Sequence, residues 1–421
     1  MKKKPTCVVA HPMQQHSYHT AEALENAGLL DSYITTVYYD NNKLLYKILE
    51  RVISKNNVDR MQRKRIEISS VNVKTFCEIR GLIYLLLLRI DKRKIILTRY
   101  YKYLTKVFGK KVAKYCGKNG IDILLMYDTT AYYAFREIKK SKISCKLLLD
   151  MSSIPAKNIC QIIEKEITKI RKVPNSMRLR LKTAKLLEKN SELEIKLADD
   201  IICGSSFSAD CIKNSYSDKR CFIIPYGVNK KQFTFQKKSK SENSKISFVY
   251  VGGVEMTKGS QYLLKAWNEL NVDEAILKMV GDYGYAKNEL VSKANIQYTG
   301  FVLKEQMPSI YHESDVYILP SLYEGFSQSL IEAMSCGLPV IATECSGAKM
   351  VVKNGINGFV IRPADVSALK DKIQWVLENK DMLPKMGKEA SVSVKNLTWE
   401  NYMKGIRETI LKIYGEENIT V

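Results

Sequence analysis

The chain has 421 residues, of which 45% are hydrophobic and 9% aromatic, so it can build packed cores and is not globally disordered. It carries 67 Lys and Arg against 44 Asp and Glu, a formal net charge of +23, which calls for an anionic partner or surface. Ten scattered cysteines without C-x-x-C spacing exclude a zinc ribbon, a thioredoxin-type site and a disulfide scaffold, and predict thiols in a reducing compartment.

At the start, Lys2-Lys3-Lys4 would suit a secretory n-region, but only Cys7-Val8-Val9-Ala10 follow before His11-Pro12. That is too short for a signal sequence. Pro5 to Ala10 reads as a strand, His11 to His19 as a polar loop and the stretch from Thr20 to Gly28 as a helix, the opening of a βαβ unit. Residues 1–200 hold 40 basic and 20 acidic side chains, whereas residues 201–421 hold 27 and 24. The excess is densest over residues 43–118. There Arg60-Met61-Gln62-Arg63-Lys64-Arg65 and Asp91-Lys92-Arg93-Lys94 flank the run Leu82–Leu88, and Tyr100, Tyr101, Tyr103 and Phe108 alternate with lysines. Basic residues beside exposed aromatic and aliphatic ones suit an anionic membrane surface. Nucleic acid is the competing partner, and a Lys-rich background is the third reading, against which the near-neutral second half weighs. The Leu82–Leu88 run is the longest apolar one and falls far short of the roughly 20 residues of a span. The expectation is a cytoplasmic protein associated peripherally with the inner face of the plasma membrane.

Ile121 to Met126 and Lys146 to Leu149 are further strands; a helical region broken near Pro174 fills Ala156 to Leu197. Ala198 to Cys203 reads as a strand, capped into a helix by Ser205-Ser206, and Phe222 to Ile224 as another. Residues 236–244 have linker composition. The alternation then restarts with strands at Ile246–Val251, Ala275–Val280, Ile296–Thr299, Val316–Leu319 and Val340–Ala342. This predicts an α/β chain of two doubly wound parallel sheets with a ligand cleft at the strands' carboxyl ends.

Residues 318–345 carry the chemistry. A loop with Glu324-Gly325-Phe326 leads into a helix capped by Ser327 and stopped by Gly337 and Pro339, with Leu330, Ile331 and Met334 on its buried side. The amides of Ser327 to Ser329, at the positive end of the helix dipole, suit a phosphate. Glu332 lies about 7.5 Å along the axis, where a carboxylate would seek hydroxyls such as a ribose diol. Glu324 stands on the other side of the phosphates, beside a sugar. On their own, two glutamates at this spacing are equally well a loop charge and a helix-face charge.

The stretch resembles the E-x7-E signature of glycosyltransferase family 4, the retaining group with the GT-B fold. Ala198 to Ser206, Pro225-Tyr226-Gly227-Val228-Asn229 with Phe233, Val251 to Val254 with Lys258-Gly259, Val280-Gly281-Asp282-Tyr283-Gly284, Gly300-Phe301-Val302 and Trp399 are similar to further motifs of that family, in order. The resemblance implies two Rossmann-like domains facing each other across a cleft. These are an acceptor domain over residues 1–228 with a basic membrane-facing region and a nucleotide-sugar domain over 229–398, with a helix over 399–421 packing back on the first. It implies that Glu332 binds ribose, that Glu324 contacts the donor sugar and that Lys258 neutralises the diphosphate. Gly253, Gly325, Phe326, Ser327, Gln328 and Ser329 would line the donor, and Phe301 and Val302 the base. The partners implied are a nucleotide diphosphate-sugar and a membrane-associated, lipid-linked or glycan acceptor of a bacterial surface polysaccharide or glycolipid. No metal or other cofactor is expected, since Lys258 and helix amides can stand in for a cation. The sequence departs from the pattern in having Gly253 where an Arg is usual and no Gly-rich first loop. In that loop His16 is the first candidate for acceptor or phosphate contact, and Asp128 is a second cleft candidate. A nucleotide-sugar epimerase of the same architecture and a basic nucleic-acid-binding protein are the alternative readings.

Overall fold

The computed structural model describes residues 4–52, 72–91, 95–169, 173–237, 245–270, 272–283 and 293–417. The first sheet comprises β1 (Cys7–Ala10), β2 (Leu30–Thr35), β3 (Val73–Thr75), β4 (Ile123–Tyr127), β5 (Lys146–Met151), β6 (Asp200–Cys203) and β7 (Cys221–Ile223). Its strands lie in the order β3-β2-β1-β4-β5-β6-β7, all parallel. The second comprises β8 (Ile246–Val251), β9 (Ala275–Val280), β10 (Ile296–Gly300), β11 (Val316–Leu319), β12 (Val340–Thr343) and β13 (Gly358–Ile361). It repeats the pattern as β10-β9-β8-β11-β12-β13, again parallel. In each sheet the chain builds outward from the first strand, then crosses to its other side, at β4 and at β11. Those reversals open a crevice at the carboxyl ends of β1 and β4 and of β8 and β11.

Central strands covered on both faces are apolar at nearly every position, as in the fully buried ILLMY of β4. The weaker strands β2, β3 and β13 escape a reading by apolar runs: β2 carries Asp31 and Ser32, and β3 is only three residues long. The first helix, Ser17–Asn26, starts three residues before the apolar periodicity does. The Ser17 hydroxyl donates to the Gln14 carbonyl (2.6 Å) and closes the turn there. His19 therefore belongs to the helix, not to a cleft-facing loop.

The helix Trp399–Glu417 returns to the first half. A Cβ on Gly227 would lie 2.2 Å from the Trp399 nitrogen, so only glycine lets the two segments meet. The Val228 amide donates to the Leu397 carbonyl (3.0 Å), the Trp399 ring stacks on His19 (3.7 Å) and the Tyr402 and Thr20 hydroxyls bond (2.9 Å). All ten cysteines are free.

The basic part of the first half carries the helices Leu44–Val52, Glu78–Ile90 and Ile95–Asn119. In Glu78–Ile90, Leu82 and Leu85 pack on Val37, Tyr39 and Tyr46. Ile79 (68% exposed), Ile83 (40%), Leu86 (55%) and Ile90 (62%) form a separate apolar stripe facing outward. The aromatic residues expected beside it mostly turn inward: Phe108 is fully buried and Tyr101 reaches Thr129 (3.4 Å), which leaves Tyr103 exposed. A long helix packed on a sheet must give its aromatic face to the core. The runs Arg60–Arg65 and Lys92-Arg93-Lys94, most of the 236–244 linker and Gly284 lie outside the described residues. Among the described residues no helix is long and apolar enough to cross a membrane.

Candidate functional site

The carboxyl ends of the two sheets meet. The segment after β11 lies directly against the loops after β5 and β6: a Cβ on Gly325 would sit 2.1 Å from the Ser152 carbonyl oxygen, and the Ser205 hydroxyl donates to the Gly325 carbonyl. Phe326 is buried, its ring against Tyr226, so it can offer a ligand only its backbone.

The Glu332 helix spans Gln328–Ser335 and is capped by Ser327, whose hydroxyl accepts from the Leu330 amide (3.4 Å). Leu330, Ile331 and Met334 are fully buried beneath it. One expected anion donor is already used, because the Ser327 amide donates to the Ser346 carbonyl (3.2 Å). The cap residue is pinned to the neighbouring turn. The amides of Gln328 and Ser329 make no hydrogen bond among the described residues and stay at the helix opening. The Ser329 hydroxyl bonds the Tyr317 hydroxyl (2.7 Å) and the Ser327 hydroxyl (3.1 Å).

Glu332, the fifth residue of that helix, accepts from the Tyr311 hydroxyl (3.3 Å), and Lys304 Nζ lies 3.9 Å from its other oxygen. Burial pushes its carboxyl up to about 7, against the pull of Lys304 and of Tyr311. Phe301 is exposed on the loop leading to Lys304, and Val302 is half-buried.

Glu324 is held from three directions. Its amide donates to the Cys345 carbonyl (2.8 Å), and one carboxylate oxygen accepts from Ser321 (3.0 Å) and from Lys258. Lys258 reaches it because Gly259, at φ +71°, lets the 256–259 turn press against β11's end; a Cβ there would lie 1.9 Å from the Pro320 carbonyl oxygen. The Leu322 amide seals the contact by donating to the Thr257 carbonyl (2.9 Å). Lys258 and Glu324 thus stand as a fixed ion pair beside the end of β11.

On the facing side, His16 Nε2 lies 2.9 Å from Asp150 Oδ2, with its ring against Tyr226 (4.5 Å between centroids). Asp128 accepts from the amide (3.1 Å) and hydroxyl of Ser152, and burial raises its carboxyl despite those bonds. It caps no helix. The other two histidines of this segment are used elsewhere: His11 is buried, its Nδ1 accepting from the Met13 amide (2.8 Å), and burial, with Trp399 stacked on the ring, drives His19 down to about 3.

Between the halves lies a cavity of about 530 Å³ whose walls include Asp128, Ile154, Leu179 and Arg180 from the first and Gly253, Glu255, Asp282 and Tyr323 from the second. Asp128 thus joins the site, as does Gly253, while His16 sits beside it, tied to Asp150. Sequence reading missed Arg180, Asp150, Tyr311 and Lys304. All four lie outside the recognisable motifs; the fold brings Arg180 to the cavity, Asp150 to His16, and Tyr311 and Lys304 to Glu332. Among the described residues no three His, Cys, Asp or Glu side chains cluster to hold a metal ion.

Residues 231–392 match the family model described as Glycosyl transferases group 1. The chain is 31% identical over 224 residues to UDP-Gal:alpha-D-GlcNAc-diphosphoundecaprenol alpha-1,3-galactosyltransferase of Escherichia coli, covering 47% of this chain and 57% of that one. It is 30% identical over 163 residues to O-antigen chain mannosyltransferase B of Escherichia coli, covering 36% and 42%. The chain spans about half the length of the curated relatives it matches. Sucrose-phosphate synthase from Thermosynechococcus elongatus superposes with a TM-score of 0.66 at 17% identity, over 98% of this chain and 100% of that one. Likeness at that identity establishes the fold, which is GT-B.

Proposed function

We propose that the chain is a retaining glycosyltransferase of family 4. It would move a sugar from a nucleotide diphosphate-sugar to a lipid-linked or glycan acceptor in assembly of a bacterial surface polysaccharide or glycolipid. The observation that carries this is the Lys258–Glu324 pair lying before the helix that presents the Gln328 and Ser329 amides and Glu332. A cation, two helix amides unbonded among the described residues and two carboxylates following β11 support that reading.

In this reading Glu332 accepts from the ribose hydroxyls, and Lys258 and the helix amides stabilise the leaving diphosphate. They supply the charge for which a divalent ion would otherwise be needed. Glu324 faces the donor sugar and stabilises positive charge at its anomeric carbon. The acceptor oxygen attacks from the face the diphosphate leaves, and its proton passes to a departing phosphate oxygen, so no side-chain nucleophile is consumed. Asp128 and His16 contact the acceptor. The names of the relatives, one with a UDP-sugar donor and a diphosphoundecaprenol-linked acceptor, support this reading.

The outward stripe of Ile79, Ile83, Leu86 and Ile90, on a basic half of the chain, supports peripheral attachment to an anionic membrane at its inner face. The test is a thermal-shift screen with nucleotide diphosphate-sugars, then transfer assays with lipid-linked acceptors and NMR of the anomeric product. If no donor raises the melting point, the reading falls; an inverted product removes the retaining mechanism.

A further inference from the structure

Arg180 belongs to the helix Asn175–Leu197 of the first half, yet its guanidinium works against the second. Its Nε donates to the Tyr323 hydroxyl (3.0 Å), its plane lies over the Tyr323 ring (5.8 Å) and Nη1 stands 3.8 Å from Glu255 Oε2. It is the only cation among the described residues lining the cleft cavity, facing Asp128, Glu255 and Asp282 there. Of its five N–H groups, Nε alone makes a hydrogen bond among the described residues; at 3.8 Å the Glu255 contact is electrostatic. Tyr323, the residue it grips, immediately precedes Glu324, whose carboxylate also acts on Arg180. Lys258 and Arg180 both act on the Tyr323 hydroxyl, which is otherwise raised by burial, so cations from the two halves converge on one place.

Gly253 lines the same cavity as Arg180 and has no side chain, and the nearest atoms a Cβ built there would meet belong to Glu255, at 3.5 Å. A planar guanidinium with unused donors beside open backbone matches the paired oxygens of a phosphate.

Resting on the nucleotide-sugar reading above, we propose that Arg180 is a second cation for the donor's diphosphate, delivered across the cleft from the first half of the chain. On binding, Arg180 exchanges its distant contact with Glu255 for phosphate oxygens while keeping its place on Tyr323. Lys258 and the Gln328 and Ser329 amides grip the same diphosphate from the second half. The diphosphate is then fully neutralised only when both halves are in place.

The experiment is calorimetry on the full chain with uridine, guanosine and thymidine mono- and diphosphates. For the diphosphate that binds, Arg180→Ala should weaken affinity by about tenfold or more, with the matching monophosphate changed less than about twofold. Glu255→Gln, which frees the guanidinium, should bind the diphosphate at least as tightly as wild type. Unchanged diphosphate affinity in Arg180→Ala, equal loss for mono- and diphosphate, or weakening by Glu255→Gln overturns the inference and leaves the donor reading standing. A wild-type chain that binds none of the diphosphates overturns the donor reading itself, and this inference with it.

Discussion

Lys304 Nζ stands 3.9 Å from a carboxylate oxygen of Glu332, too far for a strong bond and too weak to offset the burial that raises this carboxyl to about 7. Native Glu332 therefore holds a proton at pH values where the unfolded chain, near 4.3, has lost it. Its contribution to stability is present below about 4.3 and is lost as pH rises to about 7. Glu332→Gln should abolish that decline, which melting curves across pH will show.

In the proposed reading ribose hydroxyls donate to the ionised form of the same carboxyl, so nucleotide binding should expel a proton near pH 7 and tighten as pH rises from 6 to 8. Calorimetry in buffers of different ionisation enthalpy measures the proton directly; no release removes Glu332 from the ribose. Glu332→Ala should cost about 1.5–3 kcal/mol of nucleotide affinity per lost charge-assisted bond.

Glu324→Gln should lower turnover far more than donor affinity, because in the proposed mechanism the lost charge acts on a cation absent from the ground state. Lys258→Ala should lower both, since the diphosphate is charged before and after transfer. Steady-state kinetics beside binding measurements separate the two patterns, and near-normal turnover of Glu324→Gln would take it out of the reaction.

Gly259→Ala combines a positive φ with a Cβ driven into the Pro320 carbonyl. A loss of about 2–4 kcal/mol follows from backbone strain and forced displacement, read by urea denaturation. Gly355→Ala shares the positive φ, but its Cβ meets nothing within 4 Å; it should cost about 1 kcal/mol. Similar losses for the two would show that the turn yields.

Ile83→Glu with Leu86→Glu should abolish flotation with anionic vesicles while leaving melting temperature and nucleotide affinity unchanged, because both side chains point outward. Continued flotation would move the membrane contact elsewhere.

Much of this was legible in the residues. Val316–Leu319 reads as a strand because both its faces are covered, and the Ser327 cap with Gly337 marks the helix ends that frame Glu324 and Glu332. The partners of those glutamates were not legible. Lys258 is 66 residues from Glu324 in the chain and meets it through the Gly259 turn, and Arg180 reads as one more charge on a basic helix. His16 reads as a ligand contact in a polar loop, and its anchor stays hidden because Asp150 lies on a strand 134 residues away. Spacing reports neighbours along one element; partners delivered by separate strands need the topology.

The missing Cβ at Gly325, facing the Ser152 carbonyl, also bears on modular exchange between related chains. A chimaera that borrows its first half elsewhere inherits a stranger's surface under the Glu324 loop. Unless that surface leaves the same narrow slot, the Glu324 loop will not seat against the borrowed half.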